Sequence, residues 1–493
     1  MILVALLASS LVPGLVIFFL GEERHLLRTV LNMAGAVVKV ALVIVLLVRY
    51  AEGVGAEVSM RFLPGLPLVL RVDDVALLFV GLSALLWLIT TVYAIGYLEG
   101  SPLRSRFFGF FSLCVTATVG IALSGNLITF FVFYEALTLA TYPLVVHRGT
   151  AAALSAGRVY LVYTLGGGTA LLAGIVWLDA IAGPVEFTRG GALGAAAATD
   201  RTALAIIFGL LVAGLGVKAA LVPLHGWLAR AMVAPAPVSA LLHAVAVVKA
   251  GAFGIVRVVG DVYGAGLVAS LGLLTPLAIV AAVTILWGSV RALTQDDLKR
   301  RLAYSTVSQV SYIVLGTAIL APLSTVGALA HLVHQGVMKI TLFFAAGVLA
   351  ETLGVHRVSE LRGAGRRAPM TMVAFTVAAL GMIGVPPTAG FVSKWYIGRG
   401  ALDAGEAWVL AVLVASGILN ALYFLPILHS AWFRRPPGAW PDDRGRGALE
   451  ARPSLLLPTL AAGAVALAVG LFAGADFSPL WLAQEVAGGG GGP

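Results

Sequence analysis

Charge is scarce in this chain. Only 11% of its 493 residues are Asp, Glu, Lys or Arg, where soluble domains carry about 25%. Hydrophobic side chains fill the deficit with 60% of the total, and mean hydropathy reaches +1.00. That balance excludes a soluble globular domain and describes a polytopic membrane protein. Cysteine is nearly absent too. Cys114 stands alone in an apolar run, which excludes an intramolecular disulfide framework and a cysteine metal cluster. There is no GxxxxGKS/T loop, no GxGxxG after a strand and no metal-ligand spacing, so no ATP, nicotinamide cofactor or metal is expected. Net charge is +9, but the basic residues lie singly between apolar runs. They read as loop residues that orient helices, not as a nucleic-acid surface.

What is present is a series of apolar runs of about 20 residues, the length that crosses a bilayer. They fall near 2–20, 29–48, 74–97, 107–124, 126–146, 157–182, 202–224, 234–258, 265–289, 302–320, 323–349, 369–398, 406–431 and 454–475. The expected fold class is therefore an all-α polytopic membrane protein of about fourteen helices. The first run, MILVALLASSLVPGLVIFFL, lacks a basic leading region and reads as a retained span, not a cleaved signal peptide. With the N-terminus outside, the odd-numbered loops collect about 20 Lys and Arg, from Arg24 and Arg28 through Arg434, Arg435, Arg444, Arg446 and Arg452, against about 7 in the opposite loops. The odd loops are thus expected in the cytoplasm and both termini outside. Residues 49–73 are too few for a domain and are expected to form a short extracellular strand pair. The tail Gly488–Pro493 is expected to be flexible.

Against this apolar background, Lys218, Lys249, Lys339, Lys394 and Glu135 each fall inside a span. A charge at the centre of a membrane helix costs roughly 2.5–3.5 kcal/mol even on the gentlest scale, so such residues mark routes for charge. Two of the lysines sit beside helix breakers. Lys218 precedes Pro223 in the seventh span, and Lys394 follows Pro386 and Pro387 in the twelfth. Proline removes a helix hydrogen bond, and unwound backbone at membrane depth survives only where protein or a water-filled cavity receives it. Broken spans in corresponding places of two halves point to inverted repeats with a transport site between them. Breaks five helices apart suggest two five-helix repeats.

The remaining polar residues fit a relay. A buried carboxylate such as Glu135 needs a nearby cation or a proton, and a glutamate facing a lysine exchanges a proton when their separation changes. A lysine driven toward its neutral form by burial accepts and releases protons near neutrality. His243 lies six residues before Lys249, about 9 Å along a helix axis. In HLVHQGVMK, His331 and His334 share one helix face, with Lys339 following. Two histidines without a carboxylate or a third histidine do not make a metal site. Lys39, in the second span, reads as a snorkelling residue or one that meets a neighbouring subunit. The turn TQDDLKRR reads as a cytoplasmic cap of the tenth helix, with Asp296 and Asp297 paired to its arginines.

The stretches PLHGWLARAMVAPAPVSALLHAVAVVKAGAFG, LAYSTVSQVSYIVLG, the His–Lys helix and GVPPTAGFVSKWYIG resemble the antiporter-like subunits shared by complex I, membrane-bound hydrogenases and Mrp cation/proton antiporters. The resemblance spans roughly residues 70–430. It implies inverted repeats of helices four to eight and nine to thirteen, with helices seven and twelve broken. Residues 1–106 then form the N-terminal helices, 107–260 and 261–432 the two repeats, and 433–493 the last cytoplasmic loop, final helix and tail. It also implies proton handling by Glu135, Lys218, Lys249, His331, His334, Lys339 and Lys394. Where complex I members usually carry LPDAH between helices seven and eight, this chain has LARAMVAPAP, so that acidic residue is missing. The His–Lys spacing is similar to that of the D component of Mrp antiporters. The resemblance therefore implies a proton-translocating subunit of a multisubunit sodium/proton antiporter in the bacterial or archaeal inner membrane. Its expected partners are other membrane subunits, H+ and Na+, without a cofactor. The alternatives are a pump subunit of a redox complex, either complex I or a hydrogenase, and a membrane partner of a soluble inorganic-carbon-uptake protein.

Overall fold

The computed structural model describes residues 1–63, 65–193, 200–436, 440–443 and 449–488. Arg444, Arg446 and the tail 489–493 lie outside the described residues. Each expected span has its helix. The first three are Ile2–Phe18, His25–Ala51 and Asp74–Tyr97, followed by Arg104–Ala122, Leu127–Val145, Ala151–Ala182 and Arg201–Ala219. Polar side chains just before the apolar runs start several of them. Asp73 accepts from Ala76 N, Asn126 from Thr129 N, Thr150 from Ala153 N and Asp200 from Ala203 N, each satisfying a backbone donor that the first helical turn leaves free. The expected strand pair is present as β1 (Glu57–Leu63) antiparallel to β2 (Leu66–Arg71), with Glu57 opposite Arg71.

The second half differs from expectation in two helices. The eighth span is not continuous. It runs as Ala236–Ala244 and Val247–Arg257, then as a π-helical turn, Val258–Tyr263. At the interruption Leu241 O accepts from both Val245 N and Ala246 N, so the ladder slips and the turn opens. The ninth begins as a short helix, Ala265–Ser270, and its long part is Leu274–Leu293. Gly272, at φ +68°, takes the left-handed turn between them that favours glycine. The tenth, eleventh, thirteenth and fourteenth spans are Leu298–Ala318, Pro322–Leu353, Trp408–Phe433 and Pro453–Leu471. The twelfth is split into Pro369–Ile383 and Ala389–Asp403, and a further helix, Pro479–Gly488, closes the described chain. Among the described residues, 11 helices are long and apolar enough to cross a membrane. The others are the shorter Ile2–Phe18, the split twelfth span and the Ser- and Thr-rich tenth.

Burial arranges these helices in layers. The apolar window of Ala236–Tyr263 is 100% buried and that of Pro322–Leu353 is 89% buried, whereas the second span is 33% buried. The eighth and eleventh spans are thus the centre, and the second, sixth and thirteenth face outward, where lipid replaces protein as the apolar neighbour. The tenth helix is capped as expected, with Asp297 accepting from Arg300 N at 2.8 Å. Asp296 differs. It accepts from Ser359 N and Ser359 Oγ at 3.0 and 2.9 Å, because the loop after the eleventh helix folds back over it.

One buried ion cluster ties the periphery to the centre. Arg257 is 2% exposed and donates to Asp261 and Asp73, each at 2.7 Å, with its guanidinium 5.0 Å from the Phe253 ring. Asp73 is also the cap of the third span, so the pair joins the end of the eighth span to the start of the third.

Loop placement is testable by cysteine labelling in a Cys114→Ala background. Thr188→Cys, after the sixth span, should react with a membrane-impermeant maleimide in intact cells. Thr294→Cys, after the ninth, should react only after lysis. The opposite pattern would reverse the orientation read from the basic loops.

Candidate functional site

Both expected breaks are present and share a backbone plan. The seventh helix ends at Ala219, Ala220 is left-handed at φ 57°, and Pro223 follows three residues later. In the twelfth span Gly384 is left-handed at φ 96°, and Pro387 follows at the same interval. In the second break the chemistry follows from the sequence residue by residue. A helix would bond the N–H groups of residues 386 and 387 to the carbonyls of Met382 and Ile383, and both positions are proline. Those two carbonyls turn to Lys394, whose Nζ donates to Met382 O at 2.7 Å and Ile383 O at 3.0 Å.

Backbone carbonyls, not carboxylates, hold the other buried lysines as well. Lys218 Nζ donates to Tyr134 O and lies 3.3 Å from the centre of the Tyr134 ring. Lys339 Nζ donates to Leu302 O at 3.2 Å and Ser305 Oγ at 2.7 Å. Glu135 is close enough to Lys218 to interact electrostatically, yet no ion pair within 4 Å forms among the described residues. Its Oε1 is buried without a hydrogen-bond partner against the bare face of Gly168 on the sixth helix. The glutamate and the lysine therefore do not touch in this arrangement.

Lys249 is the exception. It is fully buried and its Nζ has no hydrogen-bond partner. On the eighth and eleventh helices both ring nitrogens of His243 and His334, Nε2 of His331 and both amide atoms of Gln335 are likewise buried and unpartnered. Native interiors rarely leave such atoms unpaired unless water or a catalytic role completes them. The break at Val245–Ala246 lies between His243 and Lys249, so it separates these two groups onto different helical segments. Sequence reading missed this break because the stretch LLHAVAVVK holds no proline or glycine.

Close backbone contacts order these groups across the protein. Gly251, two residues after Lys249, packs on the Lys218 backbone, where an added Cβ would lie 2.9 Å from Lys218 C. Gly336 of the eleventh helix packs on Ala244 O at the break, with a corresponding distance of 2.8 Å. His243 lies 4.7 Å from the Phe343 ring. His331 Nδ1 reaches Ser393 Oγ at 2.7 Å, one residue before Lys394. The field of Lys249 extends to both histidines of the eleventh helix, and that of Lys339 to Lys249 and His243. A cavity of about 180 Å³ bordered by Tyr97, Arg148, Asp297, Lys299, Gly347 and His356 lies on the side of the odd-numbered loops. Next to it, Lys299 Nζ donates to Ala234 O at 2.7 Å.

Lys39 neither snorkels nor reaches a neighbouring subunit. It is fully buried, donating to Leu6 O at 2.7 Å and Ser10 Oγ at 2.9 Å, with the Trp87 ring 5.3 Å away. Ser10 continues to Thr116 at 2.8 Å. The first helix supplies acceptors that composition alone does not reveal. Also missed were Ser305, Asn420 and Tyr423, which connect Lys339 to the second break. The available signal was Asn420 and Tyr423, three apart on one face of an apolar helix.

Fold and site together define a polytopic membrane protein with ionisable side chains ordered through its interior from one broken helix to another. The chain belongs to the NADH:quinone oxidoreductase/Mrp antiporter transmembrane family, whose profile matches residues 124–419. It is 40% identical over 406 residues to NADH-quinone oxidoreductase subunit N of Desulforudis audaxviator, covering 80% of this chain and 79% of that one. It is 26% identical over 438 residues to the D component of the Na(+)/H(+) antiporter of Bacillus subtilis, covering 88% and 87%. Identity therefore does not favour the antiporter component over the redox subunits. A chain in the Mrp complex of Dietzia sp. DQ12-45-1b superposes with a TM-score of 0.84 at 27% identity, covering 98% of this chain and 97% of that one. Some relatives are longer: the chain spans 59% of NADH-quinone oxidoreductase subunit L of Mycobacterium tuberculosis.

The Glu135 pocket gives a test with an internal control. Gly168→Val would overlap the carboxylate, whose Cδ lies 2.8 Å from an added Cβ, whereas Gly166 faces open space. Gly168→Val should destabilise the solubilised protein by up to about 1 kcal/mol, the low end of overpacking, because the atoms it meets are the movable end of the Glu135 side chain. Gly166→Val should leave its thermal transition unchanged. Equal transitions for the two variants would show that Glu135 is not confined there.

Proposed function

We propose that this chain carries protons through the membrane as one subunit of a larger membrane assembly. The observation that carries the reading is the way its buried cations are held. Lys218, Lys339 and Lys394 rest on neutral carbonyl oxygens, and Lys249 rests on none. A lysine held by a carboxylate is a fixed charge, since losing its proton strands a buried anion. One held by carbonyls gives up a proton without leaving such an anion behind.

In this reading protons enter from the cytoplasmic side at the Lys299 cavity and reach His243. Glu135 and Lys218 exchange protons with Lys249 through the seventh and eighth helices. His331, His334 and Lys339 pass them on, and Lys394 releases them outside. Water bridging the unpartnered histidines would complete the route. The matching breaks at Pro223 and at Pro386 and Pro387 support treating residues 107–260 and 261–432 as two inverted repeats, each with its own half of the route. Both termini then face outside.

The driving partner is the finer question. Sodium/proton antiport is supported by the HLVHQGVMK spacing and by the likeness to the Mrp complex chain. Redox-driven pumping is supported by the 40% identity to subunit N. Inverted membrane vesicles carrying chromosomal variants separate the two. Lys218→Ala or Glu135→Ala should abolish proton movement, read with a pH-sensitive dye, while the assembly still forms. In parent vesicles a dye response to a sodium pulse identifies antiport, and one that requires NADH oxidation identifies a redox complex. Undiminished proton movement in either variant would overturn the proposal.

A further inference from the structure

Between Lys339 and Lys394 the protein itself supplies a continuous chain of hydrogen bonds. Lys339 Nζ lies 2.7 Å from Ser305 Oγ, which lies 2.8 Å from Tyr423 Oη. Tyr423 Oη also bonds Asn420 Oδ1. Asn420 Nδ2 donates to Met382 O at 3.2 Å, the oxygen that Lys394 Nζ reaches at 2.7 Å. Ser305, Asn420 and Tyr423 are at most 1% exposed, so water does not compete with these bonds from bulk solvent. Three helices contribute, the tenth, thirteenth and first half of the twelfth.

Two features make this chain a switch. The first is Tyr423, whose phenol has one proton and two acceptors, Ser305 Oγ and Asn420 Oδ1. While Lys339 is charged, it donates to Ser305. Tyr423, which is also placed to donate to Ser305, then gives its single proton to Asn420. When Lys339 is neutral its nitrogen accepts from Ser305, Tyr423 turns to Ser305, and Asn420 Oδ1 loses its donor. The second feature is Met382 O, which has two lone pairs and three donors: Lys394, Asn420 and Gln309 Nε2 at 3.3 Å. A chain polarised by a charged Lys339 makes Asn420 the stronger donor, at the expense of Lys394. No proton crosses, because an amide and a carbonyl do not relay one.

We infer that Tyr423, with Ser305 and Asn420, is a positioning element that couples the charge of Lys339 to that of Lys394 in opposition, so that a proton arriving at one favours departure from the other. By reciprocity Lys394 acts equally on Lys339. The charged and titratable groups facing this chain are Arg301, which donates to Tyr423 O at 3.1 Å, Tyr312, whose ring lies 5.1 Å from Lys394 Nζ, the two lysines themselves, Lys249 and His243 on the Lys339 side and His331 on the Lys394 side. Arg301 holds the Tyr423 backbone in both states, which leaves the phenol proton as the moving part.

The inference rests on the proton-carrying reading, and the test separates the two. Tyr423→Phe keeps the ring and removes the switch, and Ser305→Ala removes the link to Lys339. In vesicles with the assembled complex, each should slow proton movement about tenfold, the scale of one hydrogen bond to a charged group. Each should also displace the pH optimum by about one unit. The double variant should be no worse than either single one, as expected of residues acting in one chain. An assembled Tyr423→Phe or Ser305→Ala complex with the parent rate and the parent pH profile would overturn the inference. If one variant fails to assemble, the other carries the same test. Undiminished proton movement in Lys218→Ala would instead overturn the underlying function.

Discussion

A buried ammonium group needs acceptors, and this protein gives its lysines backbone oxygens. Five of the six lysines in the sequence donate to a carbonyl: Lys39, Lys218, Lys299, Lys339 and Lys394. Arginine is where carboxylate partners are found. Arg257 has two, and Arg71 is bonded by Glu57 and Glu186. The division follows from chemistry. A guanidinium keeps its charge and is best satisfied by a fixed counter-charge, whereas an amine loses its proton more readily and is the better carrier.

The helix breaks follow from the same requirement. Regular helices consume their own carbonyls, so acceptors for a lysine must come from side chains, shared oxygens or places where the ladder stops. Pro386 and Pro387 stop it two carbonyls at a time, and Lys394 takes both. Glycines on the facing helices then bring backbones close enough for ordering to matter. Gly251 lies on Lys218, and Gly336 on the opened turn at Ala244. The eighth and eleventh helices, the most buried pair, are those that carry the groups without acceptors.

Much of this was legible in the sequence because membrane insertion leaves few ambiguities. Apolar length marks each helix, and lysine or proline inside such a run stands out. The start of the ninth helix was misread because apolar residues continue through the Gly272 turn. The opened turn of the eighth helix, which sits against Gly336, was invisible because LLHAVAVVK carries no proline or glycine. Lys39 was misassigned because its acceptors, Leu6 O and Ser10, belong to another helix. Ser305, Asn420 and Tyr423 carry no motif, and their relation exists only once the tenth, twelfth and thirteenth helices meet. The carbonyl that Asn420 serves, Met382 O, was nonetheless derivable, four residues before Pro386.

The Arg257 cluster bears on how Lys249 can move. Arg257 lies eight residues beyond Lys249, two turns along the same face, and is clamped to the third span through Asp73. At its other end the segment Val247–Arg257 meets the opened turn. The segment is thus fixed at both ends, by the ion pairs at Arg257 and by the seating of Gly251 on the Lys218 backbone. Lys249 lies beside the second fixture, so any change of partner there falls to rotation of its own side chain, and the backbone that carries it stays in place.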